Sequence, residues 1–367
     1  MRRLLAVAVV AATLVACSHD QTPARAAHGT LLHYSRVDGL VSGATTYRIR
    51  YASQSRTGKR IAVTGLAVVP NKMQRDRVML TFAHGTTGIA DACAPSHNPA
   101  SSEVRALGSV AVTNGWVLAA TDYEGLGTPG RHPYLVGVSE GRGVLDAAVA
   151  ARQLPGAHAG TKTLIAGYSQ GGHAALWANQ LAHRWTPSLH VLGTFAGAPA
   201  SEIDRILAAG RTFAIQPFIL SIVAGFAAAY PDAKPANYLT STGIRLLPSV
   251  DEGCLSEVAR ASSGITPGQL VLPTGPGDPD WLRIGRDNSP GGSAGEGPVL
   301  IVHSDQDDVV PVELSALLHD RMCAHGAVVE RQVIHAGGHT TAALSAFFIA
   351  NSWLQDRARG VAATSDC

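Results

Sequence analysis

Short apolar runs recur along the chain and alternate with longer amphipathic stretches. The runs Thr46–Tyr51, Ile61–Val69, Val78–Ala83, Val117–Thr121, Thr163–Gly167, Val191–Ala196, Val299–His303 and Val328–Ile334 predict strands. Between them, Ser102–Val112, Glu140–Gln153, Gly172–Trp185, Glu313–Ala324 and Thr341–Trp353 carry the helical period. In the third of these, Ala174, Trp177, Ala178, Leu181 and Trp185 predict one stripe facing a sheet. Strands alternating with helices imply the α/β class, with a mostly parallel central sheet flanked by helices on both faces. The rhythm breaks at 200–297, which is too long for a connecting loop and is expected to be a helical cap or lid insertion. The core is then 27–199 together with 298–367. Within the insertion, Phe213–Tyr230 is apolar but contains Gln216, Pro217 and Ser221. It reads as a buried or groove-lining helix pair rather than a membrane span.

The chain has 367 residues, 46% of them hydrophobic and 15% charged, enough to bury one large core with an insertion. A formal net charge of +2 without a basic run gives no reason to expect a nucleic-acid partner. The start reads differently from the rest. Arg2 and Arg3 precede the apolar run Leu4–Val15, which is too short to span a bilayer and fits an export signal. Leu14-Val15-Ala16-Cys17 resembles the lipobox of bacterial lipoproteins, which would make 1–17 the signal and Cys17 a lipidated membrane attachment. The alternative is cleavage near residue 26, after Ala24-Arg25-Ala26. Either way the mature chain is expected to be secreted or a cell-envelope lipoprotein. Setting Cys17 aside leaves Cys93, Cys254, Cys323 and Cys367, an even number in a disulfide-permissive compartment, with the pairing open. They are too isolated to match a metal-site spacing, and no metal is expected.

Three segments carry candidate chemistry. Gly167-Tyr168-Ser169-Gln170-Gly171-Gly172 follows an apolar strand and opens a helix. A nucleophile on a sharp strand-to-helix turn needs small neighbours, because the backbone there is strained and tightly packed. The motif alone is weak in a Gly- and Ser-rich chain; its flanking strand and helix raise it. The second segment runs from the strand Val299–His303 into an acidic turn ending Val309-Val310-Pro311. Asp307, four residues before Pro311, best fits an acid that orients a histidine, with Asp305 and Asp308 as alternatives. The third is Gly337-Gly338-His339, a flexible loop before the last helix, which favours His339 over His335 as the base. The order Ser169, Asp307, His339 is that of the α/β-hydrolases and differs from the chymotrypsin and subtilisin orders. An early loop, His84-Gly85-Thr86-Thr87-Gly88, is placed to give one oxyanion amide from Thr86 or Thr87, the other coming from Gln170.

With Ala92-Cys93-Ala94-Pro95-Ser96 and Asp122-Tyr123-Glu124-Gly125-Leu126-Gly127 added, these pieces resemble the secretory lipase family of the lipase A type, from about Leu31 to the C-terminus. The resemblance implies an α/β-hydrolase core, a helical lid before the acid strand, and hydrolysis of acyl or lipid esters through an acyl-enzyme, with no cofactor. It also implies the pairs Cys93–Cys254 and Cys323–Cys367. One departure stands out. The family's fungal members carry an acidic side chain where this chain has His84-Gly85-Thr86-Thr87, a loop closer to that of bacterial esterases. Two other functions fit the same residues: an acyltransferase, separable by product analysis with added alcohols, and a non-catalytic exported lipid-binding protein, separable by a fluorophosphonate probe. A serine peptidase of this fold would be expected to carry an appended propeller-like domain, and none is recognisable.

Overall fold

The computed structural model describes residues 25–367. Its strands are β1 (Leu31–Val37), β2 (Ala44–Gln54), β3 (Arg60–Pro70), β4 (Arg77–Ala83), β5 (Val117–Thr121), β6 (Ala159–Tyr168), β7 (His190–Gly197), β8 (Val299–Ser304) and β9 (Val329–Ile334). They form one nine-stranded sheet in the order β1-β2-β3-β5-β4-β6-β7-β8-β9. The pairs among β1, β2, β3 and β5 are antiparallel; every pair from β5 through β9 is parallel. β5 and β8 are buried at every residue, as strands covered on both faces must be. β1 was not expected. It is an edge strand with mostly exposed side chains, so no apolar run marks it.

Helices α1 (Val104–Asn114), α2 (Gly137–Ala151) and α3 (Gln170–Trp185) alternate with the strands. Eight further helices lie between β7 and β8: α4 (Ile203–Ala208), α5 (Gln216–Ala229), α6 (Pro235–Tyr238), α7 (Ser241–Leu246), α8 (Pro248–Glu252), α9 (Leu255–Ala261), α10 (Pro267–Leu270) and α11 (Pro279–Asp287). The chain closes with α12 (Val312–Ala324) and α13 (His339–Ala358). α2 and α3 pack on one sheet face, where Val144, Ala148, Ala174 and Ala178 meet Met79, Val117 and Ile165. α1 and α13 cover the other, where Val104, Ala111, Ala346 and Ala350 meet Leu80, Leu118 and Phe195.

Two expectations about helices need correction. In α3 the fully buried face is Ala174, Ala175, Ala178 and Ala182, while Trp177, Leu181 and Trp185 lie at its margins, partly exposed. The cause is the close approach of α2. A Cβ on Gly141 would stand 2.8 Å from the Trp177 carbonyl carbon. Only small side chains fit in that seam, and the indoles move to its rim. The segment Phe213–Tyr230 folds as one helix, α5, and not as a pair. Pro217 sits in its first turn, where its missing N–H costs nothing. Gly225 marks a contact rather than a break: a Cβ there would lie 2.5 Å from the Tyr134 nitrogen.

The helices between β7 and β8 gather an apolar cluster of their own, with Ile219, Val223, Phe226, Tyr238, Trp281 and Ile284 at its centre. Ile89, Tyr134, Leu135 and Val136 join that cluster from loops of the sheet-bearing part. The insertion is therefore seated on segments that lead directly into the candidate site.

Candidate active site

β6 ends at Tyr168 and α3 begins at Gln170, leaving Ser169 alone on the turn with φ 59° and ψ −121°. That is a left-handed backbone angle on a residue with a Cβ, a conformation held only where the surroundings enforce it. Enforcement is visible on both sides. The Ser169 N–H donates to the Gly197 carbonyl at 2.8 Å, and its carbonyl accepts the His173 N–H at 3.0 Å. A Cβ on Gly167 would meet the Gly171 oxygen at 2.0 Å, and one on Gly171 would meet the Ala83 oxygen at 2.0 Å. The two glycines thus allow strand, helix and neighbouring strand β4 to converge at the serine.

The acidic turn after β8 sorts its carboxylates by partner. Asp305 faces the exposed His335 ring at 3.0 Å. Asp308 accepts the His339 backbone N–H at 2.8 Å. Asp307 takes the His339 side chain, Oδ2 to Nδ1 at 2.6 Å. Its other oxygen accepts the Val309 and Val310 amides at 2.9 and 2.7 Å, and His303 Nε2 lies 3.3 Å from Oδ2. Burial pushes the Asp307 carboxyl up, but hydrogen bonds from His303 and His339 and the Val310 amide outweigh it and hold the group well below the usual range. The His339 imidazole is nearly buried, and its Nε2 has no hydrogen-bond partner among the described residues. The Tyr168 hydroxyl donates to the His339 carbonyl at 2.7 Å, and the two rings lie 5.2 Å apart. The residue before Ser169 thereby fastens the start of α13, where His339 sits.

Opposite lies the loop after β4. Thr86 Oγ1 and the Tyr134 hydroxyl are 2.7 Å apart, the Thr87 carbonyl accepts the Leu255 N–H at 2.9 Å, and Cys93 is bonded to Cys254. That loop is thus clamped to α9 of the insertion. The two family-like pieces that follow it meet in space: the Ser96 N–H donates to Asp122 Oδ1 at 3.0 Å. The second disulfide joins Cys323 to Cys367. His319 lies beside those sulfurs, but sulfurs bonded to each other offer no thiolate to a metal. Cys17 lies outside the described residues.

Behind Gln170 is a polar group that sequence reasoning missed. Gln170 Nε2 donates to Glu140 Oε1 at 2.8 Å and faces His132 Nε2 at 3.0 Å. Glu140 Oε1 also accepts the Leu135 N–H at 3.0 Å, and Oε2 lies 2.7 Å from His173 Nδ1. All four side chains are essentially excluded from solvent. Burial lowers the His132 pKa to about 4, so the ring is neutral. Its Nδ1–H then goes to the Glu124 carbonyl at 2.8 Å, leaving Nε2 to accept from Gln170. For Glu140, burial alone would raise the pKa; His173 and the hydrogen bond from Gln170 outweigh it and hold the carboxyl below its ordinary value. Single histidines and one glutamate in a helix give no sequence signal of such a group. Only the position of His173, one turn after Ser169, hints at it. Asn288, at the end of α11, closes the arrangement. Its carbonyl faces His173 Nε2 at 2.9 Å and accepts the Trp177 indole Nε1–H at 3.0 Å, while its Oδ1 accepts the Gly137 backbone N–H at 3.0 Å.

The secretory lipase family model matches residues 105–265. Over that stretch the chain is similar to the secretory lipases. A secreted triacylglycerol lipase, LIP4, of Malassezia globosa is 25% identical over 88% of this chain and 73% of its own. Lipase A of Moesziomyces aphidis is 24% identical over 83% of this chain and 70% of its own. The trichothecene C-3 esterase of Fusarium sporotrichioides is 24% identical over 89% and 79%. Among solved structures, Candida antarctica lipase A superposes with a TM-score of 0.80 at 20% identity, covering 93% of this chain and 84% of that one. The cell-wall-degrading esterase LipA of Xanthomonas oryzae gives 0.73 at 17% identity, over 90% and 97%. These likenesses show the fold: the mostly parallel sheet flanked by helices is the α/β-hydrolase fold. No helix among the described residues is long and apolar enough to cross a membrane.

Proposed function

We propose that the chain is an exported carboxylic ester hydrolase acting on acyl or lipid esters through Ser169, His339 and Asp307. The observation that carries this is a buried imidazole held by Asp307 on one nitrogen and unpartnered on the other among the described residues, at the head of a helix whose first carbonyl is fastened to the residue before a strained serine. The names of the relatives, triacylglycerol lipases and an esterase, support the substrate class.

In the proposed reaction Ser169 Oγ attacks the ester carbonyl carbon while His339 Nε2 takes its proton. The tetrahedral oxyanion is bound by the backbone amides of Gln170 and of Thr86 or Thr87, helped by the N-terminus of α3. The C–O bond breaks, the alcohol leaves with the proton from His339, and an acyl-Ser169 remains. Water then attacks the acyl carbon, gives its proton to His339, and the carboxylic acid departs as Ser169 is reprotonated. Asp307 holds the ring in the tautomer with Nδ1–H and stabilises its charged form. These steps use only side chains and backbone, with no cofactor. We assign the acyl chain to the apolar insertion, at about 0.8 kcal/mol per buried methylene. The test is a chain-length series of p-nitrophenyl esters with wild type and Ser169→Ala, alongside fluorophosphonate labelling. Hydrolysis and labelling that survive Ser169→Ala would remove the proposal; transfer to added alcohols in preference to water would recast the chain as an acyltransferase.

Export is read from residues 1–26 and is supported by the secreted relatives; attachment is read from Leu14-Val15-Ala16-Cys17 alone. If Cys17 carries the lipid, Cys17→Ser moves the activity from the membrane fraction to the soluble one.

A further inference from the structure

We propose that the Glu140 carboxylate is the positioning residue of the oxyanion site, tying its two halves to one atom. The inference rests on the assignment of Gln170 and Thr86 or Thr87 as oxyanion donors.

Glu140 Oε1 is shared by two donors that lead in different directions. One is Gln170 Nε2 at 2.8 Å, the side chain of the residue that follows the nucleophile. The other is the Leu135 N–H at 3.0 Å. Leu135 has φ 56°, a left-handed angle that a branched residue adopts only under constraint. The preceding residue, Tyr134, brings its hydroxyl within 2.7 Å of Thr86 Oγ1. One carboxylate oxygen therefore fixes the start of α3 directly and the loop after β4 through Tyr134.

The remaining oxygen explains how a wholly buried carboxylate is tolerated there. Oε2 is 2.7 Å from His173 Nδ1, and His173 Nε2 faces the Asn288 carbonyl at 2.9 Å. That carbonyl can only accept, so His173 Nε2 carries a hydrogen, and Nδ1 closes the contact with Oε2. Neutral His132 supplies the second hold on Gln170. Gln170 is thus gripped by an acceptor on each side, and its amide has one orientation. An oxyanion donor displaced by about 1 Å costs up to about 10²-fold in rate, so this grip is a catalytic requirement as well as a packing feature.

The expected behaviour separates positioning from mere folding. In Glu140→Gln, the new Oε1 can accept from Gln170 and Leu135, and its amide can donate to His173, so kcat stays within about threefold of wild type. In Glu140→Leu every one of those bonds is lost, and kcat per active site falls about tenfold to a hundredfold with KM nearly unchanged. Active sites are counted by endpoint fluorophosphonate titration, so unfolded protein does not enter kcat. Gln170→Ala, which removes the gripped side chain and leaves Glu140 in place, is expected to lower kcat similarly. Wild-type kcat in titrated Glu140→Leu, or a rise in KM alone, would overturn the inference. If Glu140→Leu does not fold, wild-type kcat in Gln170→Ala would overturn it. Failure of the wild type to label or to hydrolyse esters would instead overturn the assignment of a hydrolase.

Discussion

Three aspartates within four residues illustrate how a single side chain acquires a role. Asp305, Asp307 and Asp308 share a turn, yet they meet His335, the His339 ring and the His339 backbone respectively. In the proposed reaction only Asp307 sets the imidazole, so Asp307→Asn should lower kcat about 10⁴-fold. Asp305→Asn should leave it near wild type; steady-state kinetics of the two variants checks both. His132 gives a stability prediction. Its pKa is about 4 in the fold because burial opposes its charge, against about 6.5 when free. Between those values the unfolded chain binds the proton and the folded chain does not, so stability rises with pH there. A contribution of about 3 kcal/mol is present above pH 6.5 and lost as the pH falls to about 4. Denaturant titrations at pH 7 and pH 4.5 should show this loss, and His132→Gln should flatten it.

At the level of elements, the strand and helix periods were legible where packing is regular. β5 occupies the run its apolar residues predict, and β8 and α12 differ by a residue at one end. β1 escaped notice because an exposed edge strand needs no apolar run. The misjudged face of α3 has the same kind of cause. Helical spacing marks every apolar residue as inward, but the nearness of α2 decides which of them fit in the seam. The turn at Ser169 depends on a similar close approach. Gly171→Ala would place a carbon 2.0 Å from the Ala83 oxygen, at the root of the loop after β4. We expect a loss of about 1–3 kcal/mol together with a fall in kcat, read by denaturation and kinetics on the same preparation.

For the whole molecule, two covalent links divide their work. Cys93–Cys254 spans 161 residues and ties the loop after β4 to α9, while Cys323–Cys367 spans 44 residues between α12 and the C-terminus. By loop-closure entropy the longer link stabilises by about 1 kcal/mol more than the shorter. Cys93→Ala with Cys254→Ala should lower both the melting temperature and kcat, since Thr86 and Thr87 lose their clamp. Cys323→Ala with Cys367→Ala should lower the melting temperature alone. Thermal melts with parallel kinetics distinguish these outcomes.

The amino-acid sequence by itself determined the alternation of elements, the sharp turn at Ser169 and the order of Ser169, Asp307 and His339, because each is written in neighbouring residues: apolar period, small flanking side chains, a turn after a strand. It left open which carboxylate meets which histidine, and beyond the place of His173 one turn after Ser169 it carries no mark of the group that Gln170 forms with Glu140 and His132, or of the contact of His173 with Asn288. Those depend on segments 30 and 115 residues apart arriving at one buried point, Gln170 at Glu140 and His173 at Asn288. Only the packed sheet and its insertion exclude water there, so that each buried polar group is satisfied by its protein neighbours.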